Sequence, residues 1–402
     1  MELYLVVLAV GAVAALWLAS RARPPRPVRF RTPTPSPAAP HASPAASDDG
    51  PEESFDDDML PAIRAILSGE PSELDAAMLP EALAGFTLLG AADLDPVEQA
   101  QVVALVATIA LPPRSAQQLI SPEFTANARP REFTELVTRE PLLAAKVIGR
   151  VNSAFYGLAS PIVSVAHAVT YLGVNTVRNM ALQCILEQAF ASEDPEVQNF
   201  NAWLLDSGAI AADLTAILGP RLGIRDVGTA STQTVLTFIG DFAMPMLMSP
   251  HSVIGHWRLG LLERTQNEQF TLGANAMIVG QLLMEALELP VNVRSDVADI
   301  HRVLVTPAKE EVSEREARIA LCYACARMAE SIVLGRVHDS ADLSVQGSHA
   351  AEFHHLQSYL AKPPLARLTD HLRAGDVKLA VARMIAGAAR SRDVSYQRYH
   401  TE

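Results

Sequence analysis

From Met59 onward, apolar residues recur at the three- and four-residue spacing of a helix, and proline, glycine and small polar residues punctuate the pattern. No run of alternating apolar and polar residues with hairpin turns competes with it. The chain is therefore expected to be all-α. Asp95-Pro96 with Glu98, and Ser72 with Asp75, have the form of helix starts, and residues 97–110 read as one helix stopped by Pro112-Pro113. No repeat of fixed period runs through the chain.

The richest stretch is residues 139–182. Pro141 suits a first helical turn, where its missing N–H is no loss, and the apolar run to Val151 ends at Asn152, Ser153 and Gly157. Ser164 is placed to cap a second helix closed by Gly173, and Asn175 to cap a third through Val177, Met180, Ala181 and Ile185. Asn152 is the polar residue between two apolar segments. Its side chain is expected to tie the loop 153–161 to a helix end through backbone hydrogen bonds.

Residues 3–20, LYLVVLAVGAVAALWLAS, are uncharged and apolar over 18 positions, about the minimum for spanning a hydrocarbon core. Only Met1 and Glu2 precede them, whereas Arg21, Arg23, Arg26, Arg29 and Arg31 follow. That asymmetry favours a single membrane helix over a cleaved leader and puts the C-terminal side in the cytoplasm. The expected location is the inner membrane. Gly11 and Ala15 have the small-xxx-small spacing of packed membrane helices and point to a homodimer. Residues 22–58 offer prolines and small residues with hardly any apolar side chains, so a disordered tether is expected there.

A net charge of −13 argues against a sequence-independent nucleic-acid binder, which needs Lys and Arg to neutralise phosphates. Three cysteines in 402 residues form no disulfide framework. Cys322 and Cys325 make a C-x-x-C, yet a zinc site would need a second pair, and their helical stripe with Ile319, Ala329 and Ile332 suits core packing. His349, His354 and His355 fall on what reads as a solvated helix face. Gly-rich phosphate loops and G-x-S-x-G elbows are absent.

Residues 111–119, LPPRSAQQL, are similar to the opening helix of an HDOD domain. Residues 139–157, REPLLAAKVIGRVNSAFYG, resemble the central motif of that family, a D-P-x-L-A-type helix leading into N-S-A-x-Y-G, with Glu140 for the usual Asp. Residues 161–182, PIVSVAHAVTYLGVNTVRNMAL, resemble its next element, with an L-G and a V-R-N. The likeness continues more weakly to about residue 305. It implies an all-helical domain of HD-superfamily shape, found in bacterial signalling proteins and regulatory rather than catalytic. The expected divisions are a membrane helix at 1–21, a linker at 22–58, a helical preface at 59–110, the HDOD domain at 111–305 and a helical C-terminal extension at 306–402, its last dozen residues frayed.

In the metal-dependent HD and HD-GYP phosphohydrolases related to this family, a His, a His-Asp pair and further His residues hold divalent ions that activate water. Carried onto this chain, Asp206 stands where the first His belongs, Gly240-Asp241 at the pair, Ala276 at a later His and His301-Arg302 at a terminal pair. Glycine and alanine have no ligating side chain, so the resemblance implies no metal, no cofactor and no catalysis. Asp206, Asp241 and His301 are the aligned candidates for a vestigial cleft. Asn152 and His167 join them, His167 as a hydrogen-bonded core or pocket histidine. The expected function is a membrane-anchored, non-catalytic sensor or adaptor that binds a signalling protein, with a nucleotide as the other ligand class. A divergent HD-type phosphohydrolase acting on a nucleotide or cyclic dinucleotide and a structural membrane scaffold are the alternatives.

Overall fold

The computed structural model describes residues 79–109, 119, 129–152, 158, 160–248, 250–339, 343 and 350–400, and all of these fall within one compact unit, Pro71–Glu402. The apolar run 3–20, the tether 22–58, the Ser72 helix start, most of the 111–119 segment, the loop 153–157 and His349 lie outside the described residues.

The longer helices follow one another as α1 (Pro96–Thr108), α2 (Pro130–Thr138), α3 (Pro141–Val151), α4 (Val165–Leu172), α5 (Val174–Ala189), α6 (Pro195–Arg221) and α7 (Val227–Leu236). Next come α8 (Pro250–Trp257), α9 (Leu261–Leu272), α10 (Ala276–Ala286), α11 (Val291–Arg302), α12 (Glu314–Val333), α13 (His354–Leu360) and α14 (Gly375–His400). No strand occurs among the described residues. The local signals explain many of the boundaries. Asp95 accepts from the Val97 and Glu98 amides while Glu98 reaches back to the Asp95 amide, and Ser313 with Glu316 repeats the arrangement on α12. Ser164 caps α4, and Gly173, at φ 83°, ends it in a conformation that L side chains rarely adopt.

Two expectations are corrected. Asn175 is no cap: α5 begins at Val174 with Gly173 before it, and the Asn175 side chain lies against Gly228 instead. The frayed end is also revised, because helical backbone continues to His400.

α6 is the central post. It is long and apolar enough to cross a membrane by length and composition, but 67% of its most apolar window is buried, and it packs chiefly on α7 and α12. A helix apolar all round belongs in a core of this kind. The core runs without a break from Val102 and Val106 through α6, α7 and α12 to Val381 and Ala388, across residues 110 and 305. A second, smaller core gathers α2 to α5 around Val137, Val147, Val151 and Val177.

Polar ties fasten the flanking regions to the centre. Gln269 of α9 accepts from the Leu89 amide at 3.0 Å and donates to the Thr87 carbonyl at 2.9 Å. On the other side, the Tyr323 hydroxyl donates to the Glu352 carbonyl at 2.7 Å, while the Glu352 carboxylate accepts from the Leu261 amide at the start of α9.

Candidate functional site

The turn after α7 carries Gly240 and Asp241, and its geometry decides what the centre of the fold can hold. A Cβ added at Gly240 would lie 1.7 Å from the Ala276 carbonyl oxygen and 2.8 Å from the Gly280 nitrogen. The first turn of α10 therefore rests directly on the Gly240 backbone, in space that a side chain at 240 would need. The two positions where the resemblance sets imidazoles thus meet through their backbones.

Beside this contact Thr237, Asp241, Arg264, Glu268, Ala276, His301 and Arg327 line a small cavity of about 10 Å³, room for a single water. Asp241 and His301 come together there. Asp206 does not: on α6 it is half-buried and pairs with Arg150 at 3.1 Å. Asn152 also lies apart from the cavity. Its amide donates to the Ile148 and Ile162 carbonyls at 2.9 and 2.7 Å, and its carbonyl accepts from the Ile162 amide at 2.8 Å, which is the loop-tying role read from the sequence. His167 is corrected, since its side chain is exposed on α4 rather than in a core or pocket. Asn152→Ala should accordingly cost about 1–3 kcal/mol, read as a lower chemical-unfolding midpoint, because it removes the side-chain acceptor of the Ile162 amide and the donor to the Ile162 carbonyl.

The cavity wall is charged and buried. Arg264 of α9 is 2% exposed. Its Nη2 donates to Glu330 Oε1 at 3.0 Å, its Nε lies 3.8 Å from Asp241 Oδ1, and its guanidinium carbon stands 4.0 Å over the Trp257 ring. Arg327, one turn before Glu330 on α12, donates to the other oxygen of the same carboxylate. Glu268 meets His256 Nε2 at 2.8 Å and accepts from the Ala276 amide at 2.8 Å, a carboxylate at the positive end of α10. Burial alone would pull the Arg264 pKa down, but Glu330, Asp241 and Glu268 carry it above the ordinary arginine value.

His301, in the last turn of α11, has its Nε2 3.1 Å from the Thr237 carbonyl oxygen. A carbonyl only accepts, so the proton sits on Nε2 and leaves Nδ1 as a lone pair with no protein partner. Burial, helped by Arg327, pushes His301 down to about 4. Burial pushes Asp241 up to about 7 against the opposing pull of Arg264.

These two shifts have opposite linkage signs. Folded Asp241 holds its proton above the unfolded value near 4, so its contribution to stability is lost as pH rises from about 4 to 7. Folded His301 refuses the proton that the unfolded chain takes below about 6.5, so its contribution is lost as pH falls from there towards 4. Asp241→Asn removes the first effect alone. Its stability relative to the parent should rise steadily from pH 4 to pH 7 in unfolding titrations; parallel pH profiles would mean that Asp241 is already ionised in the folded chain.

Arg264, Glu268, Arg327, Glu330 and His256 were not among the residues picked from the sequence. Arg264/Glu268 and Arg327/Glu330 have the i,i+4 and i,i+3 spacing of ordinary surface pairs. The available signal was the company of the second pair, since Ala317 to Val333 is apolar nearly all round and almost wholly buried. Within that run Cys322 and Cys325 are free and buried, and burial pushes the Cys322 thiol up to about 11. His354 and His355 stand ring edge to ring face, their centroids 5.0 Å apart, on a half-buried helix. No group of three or more His, Cys, Asp or Glu able to hold a metal ion occurs among the described residues.

Residues 109–303 match the family model of the HDOD domain. Among solved structures the chain is similar to an HDOD domain protein of unknown function from Geobacter sulfurreducens, at 17% identity over 74% of this chain and 97% of that one, with a TM-score of 0.47. It is also similar to a candidate signal transduction protein from Marinobacter aquaeolei VT8, at 20% identity over 76% and 68% of the two chains and a TM-score of 0.45. A candidate phosphohydrolase from Shewanella amazonensis SB2B aligns at 16% identity over 72% and 98%, with a TM-score of 0.46. No curated protein matches the chain.

Proposed function

Residues 109–303 being an HDOD domain, we propose that this protein is a signalling component whose domain binds a partner and catalyses no reaction. The observation that carries this reading is the seat of α10 on Gly240, which fills with backbone the space a ligating side chain would use. Two further features support it. Ala276 brings no donor side chain, and the positive charge beside Asp241 is already supplied by Arg264. A divalent ion entering there would be repelled by Arg264 and Arg327. The donor set does not fit the metal that HD-type hydrolysis requires.

In this reading the domain works by binding. A signalling protein, or a nucleotide, engages the domain and shifts the packing of helices around it, to the extent that it prefers one arrangement over another. The apolar residues 3–20 and the arginines after them support a tether to the inner membrane with the domain in the cytoplasm.

The test is metal content and turnover of the full chain, purified in mild detergent and equilibrated with Mn²⁺, Fe²⁺ or Zn²⁺. Metal well below one equivalent and no hydrolysis of a cyclic dinucleotide are expected. Near-stoichiometric metal with turnover would overturn the proposal. Membrane fractionation checks the tether: the full chain should sediment with membranes, and a deletion of residues 3–20 should not.

A further inference from the structure

We infer that the pocket around Arg264 is a box for a planar guanidinium-type cation, and that the chain fills it with its own side chain. This rests on the non-catalytic reading of the same pocket. Carboxylates face the guanidinium from separate elements: Glu330 of α12 at 3.0 Å, Asp241 of the turn after α7 at 3.8 Å, and Glu268 across the cavity they share. The Trp257 ring closes another side at 4.0 Å.

The chemistry selects a flat organic cation over a metal ion. A delocalised, weakly hydrated guanidinium stacks on an indole face and donates to carboxylates at its edge, which a compact hydrated ion does not do. Hard divalent ions require several oxygens closing in at about 2.0–2.6 Å. Here the carboxylates are held apart by other ties, Glu330 to Arg327 and Glu268 to His256 and the Ala276 amide. One nitrogen of the cation, Arg264 Nη1, is buried without a protein partner, so the box encloses the guanidinium on all sides without saturating it. The occupant is fixed covalently, and the site becomes open to a free ligand only when the side chain is cut back.

Arg264→Ala removes the ethylguanidine portion and leaves the carboxylates and the indole in place. In thermal unfolding of the full chain, this variant should be less stable than the parent and should recover with millimolar guanidinium, far below denaturing concentrations. The recovery should grow with the logarithm of ligand concentration and reach roughly 5 °C at a hundredfold excess over the dissociation constant. Ethylguanidine should work at lower concentration than guanidinium, while urea, Na⁺ and Mn²⁺ at matched ionic strength should give no such rise. The parent, with its box occupied, should show none with any of them. Absence of a guanidinium-specific rise, or an equal rise with Mn²⁺, would overturn the inference.

If the alanine variant does not fold, the parent still decides. Nitrogen-15 spectra should contain one arginine Nε–H signal displaced by the Trp257 ring current and protected from exchange, absent from Arg264→Lys. Exchange as fast as that of an exposed arginine would overturn the box. Near-stoichiometric metal with turnover in the parent would instead overturn the non-catalytic reading. Failure of rescue in a chain whose parent binds no metal counts against the box alone.

Discussion

Gly240→Ala should destabilise the folded chain by about 3 kcal/mol or more, at the upper end of what overpacking costs, although it adds a single methyl group. The methyl would sit 1.7 Å from the Ala276 carbonyl oxygen, far inside contact distance, and the obstacle is backbone rather than a side chain that could swing away. Relief requires the first turn of α10 to lift. That movement would disturb the Glu268 contact to the Ala276 amide and the buried packing of Ile278 and Val279. Gly149→Ala is the control: it lies in α3 with nothing within 4 Å of an added Cβ, and it should be neutral or stabilising by up to about 1 kcal/mol because alanine favours the helix. Chemical unfolding of both variants against the parent measures the difference. Equal midpoints for the two would mean that α10 does not rest on Gly240.

The second large effect concerns Glu330. Its carboxylate is 5% exposed as a residue and receives both Arg264 and Arg327, so Glu330→Ala leaves two guanidiniums facing each other without their shared counter-charge. Removing one partner of a buried ion pair costs about 3–5 kcal/mol, because the charge left behind has been taken out of water without compensation. Glu330→Gln keeps the shape and one acceptor and should lose less. An exposed pair such as Arg131 with Glu135 gives the contrast, since its removal should cost under about 1 kcal/mol. A double-mutant cycle on Arg264 and Glu330 should show strong coupling, well above the few tenths expected for independent sites. Additive losses would mean that the two side chains do not share the buried centre.

What was legible in the sequence was local. Asp95 with Glu98, Ser313 with Glu316, and Ser164 followed by Gly173 announce helix ends because the atoms that satisfy the end lie within a turn or two of it. Asn152 was legible for the same reason, its partners Ile148 and Ile162 being close in the chain. Asn175 shows the limit of that logic. A polar residue after a glycine has the form of a cap, yet packing against Gly228, on a distant helix, decided its place. The meeting of Asp241 with His301 came through the family likeness, while Asp206, placed by the same likeness, turned to Arg150 instead. The pairing of Arg264 with Glu330 was not legible because 66 residues separate them, and each has a near neighbour of opposite charge that suggests a solvated pair. No periodicity distinguishes a charge pair on a surface from one that folding will enclose.

The contact between Gly240 and Ala276 also limits the routes by which this pocket could change its chemistry. A histidine cannot enter at 240 until α10 has moved, and a histidine at 276 alone would share the cavity with the positive charge of Arg264. Removing Arg264 first leaves Glu330 with Arg327 alone and empties the space under the Trp257 ring, so that step lowers stability before any ion can repay the loss. The backbone contact and the buried charges thus hold one another in place, and a metal centre here requires several changes made together.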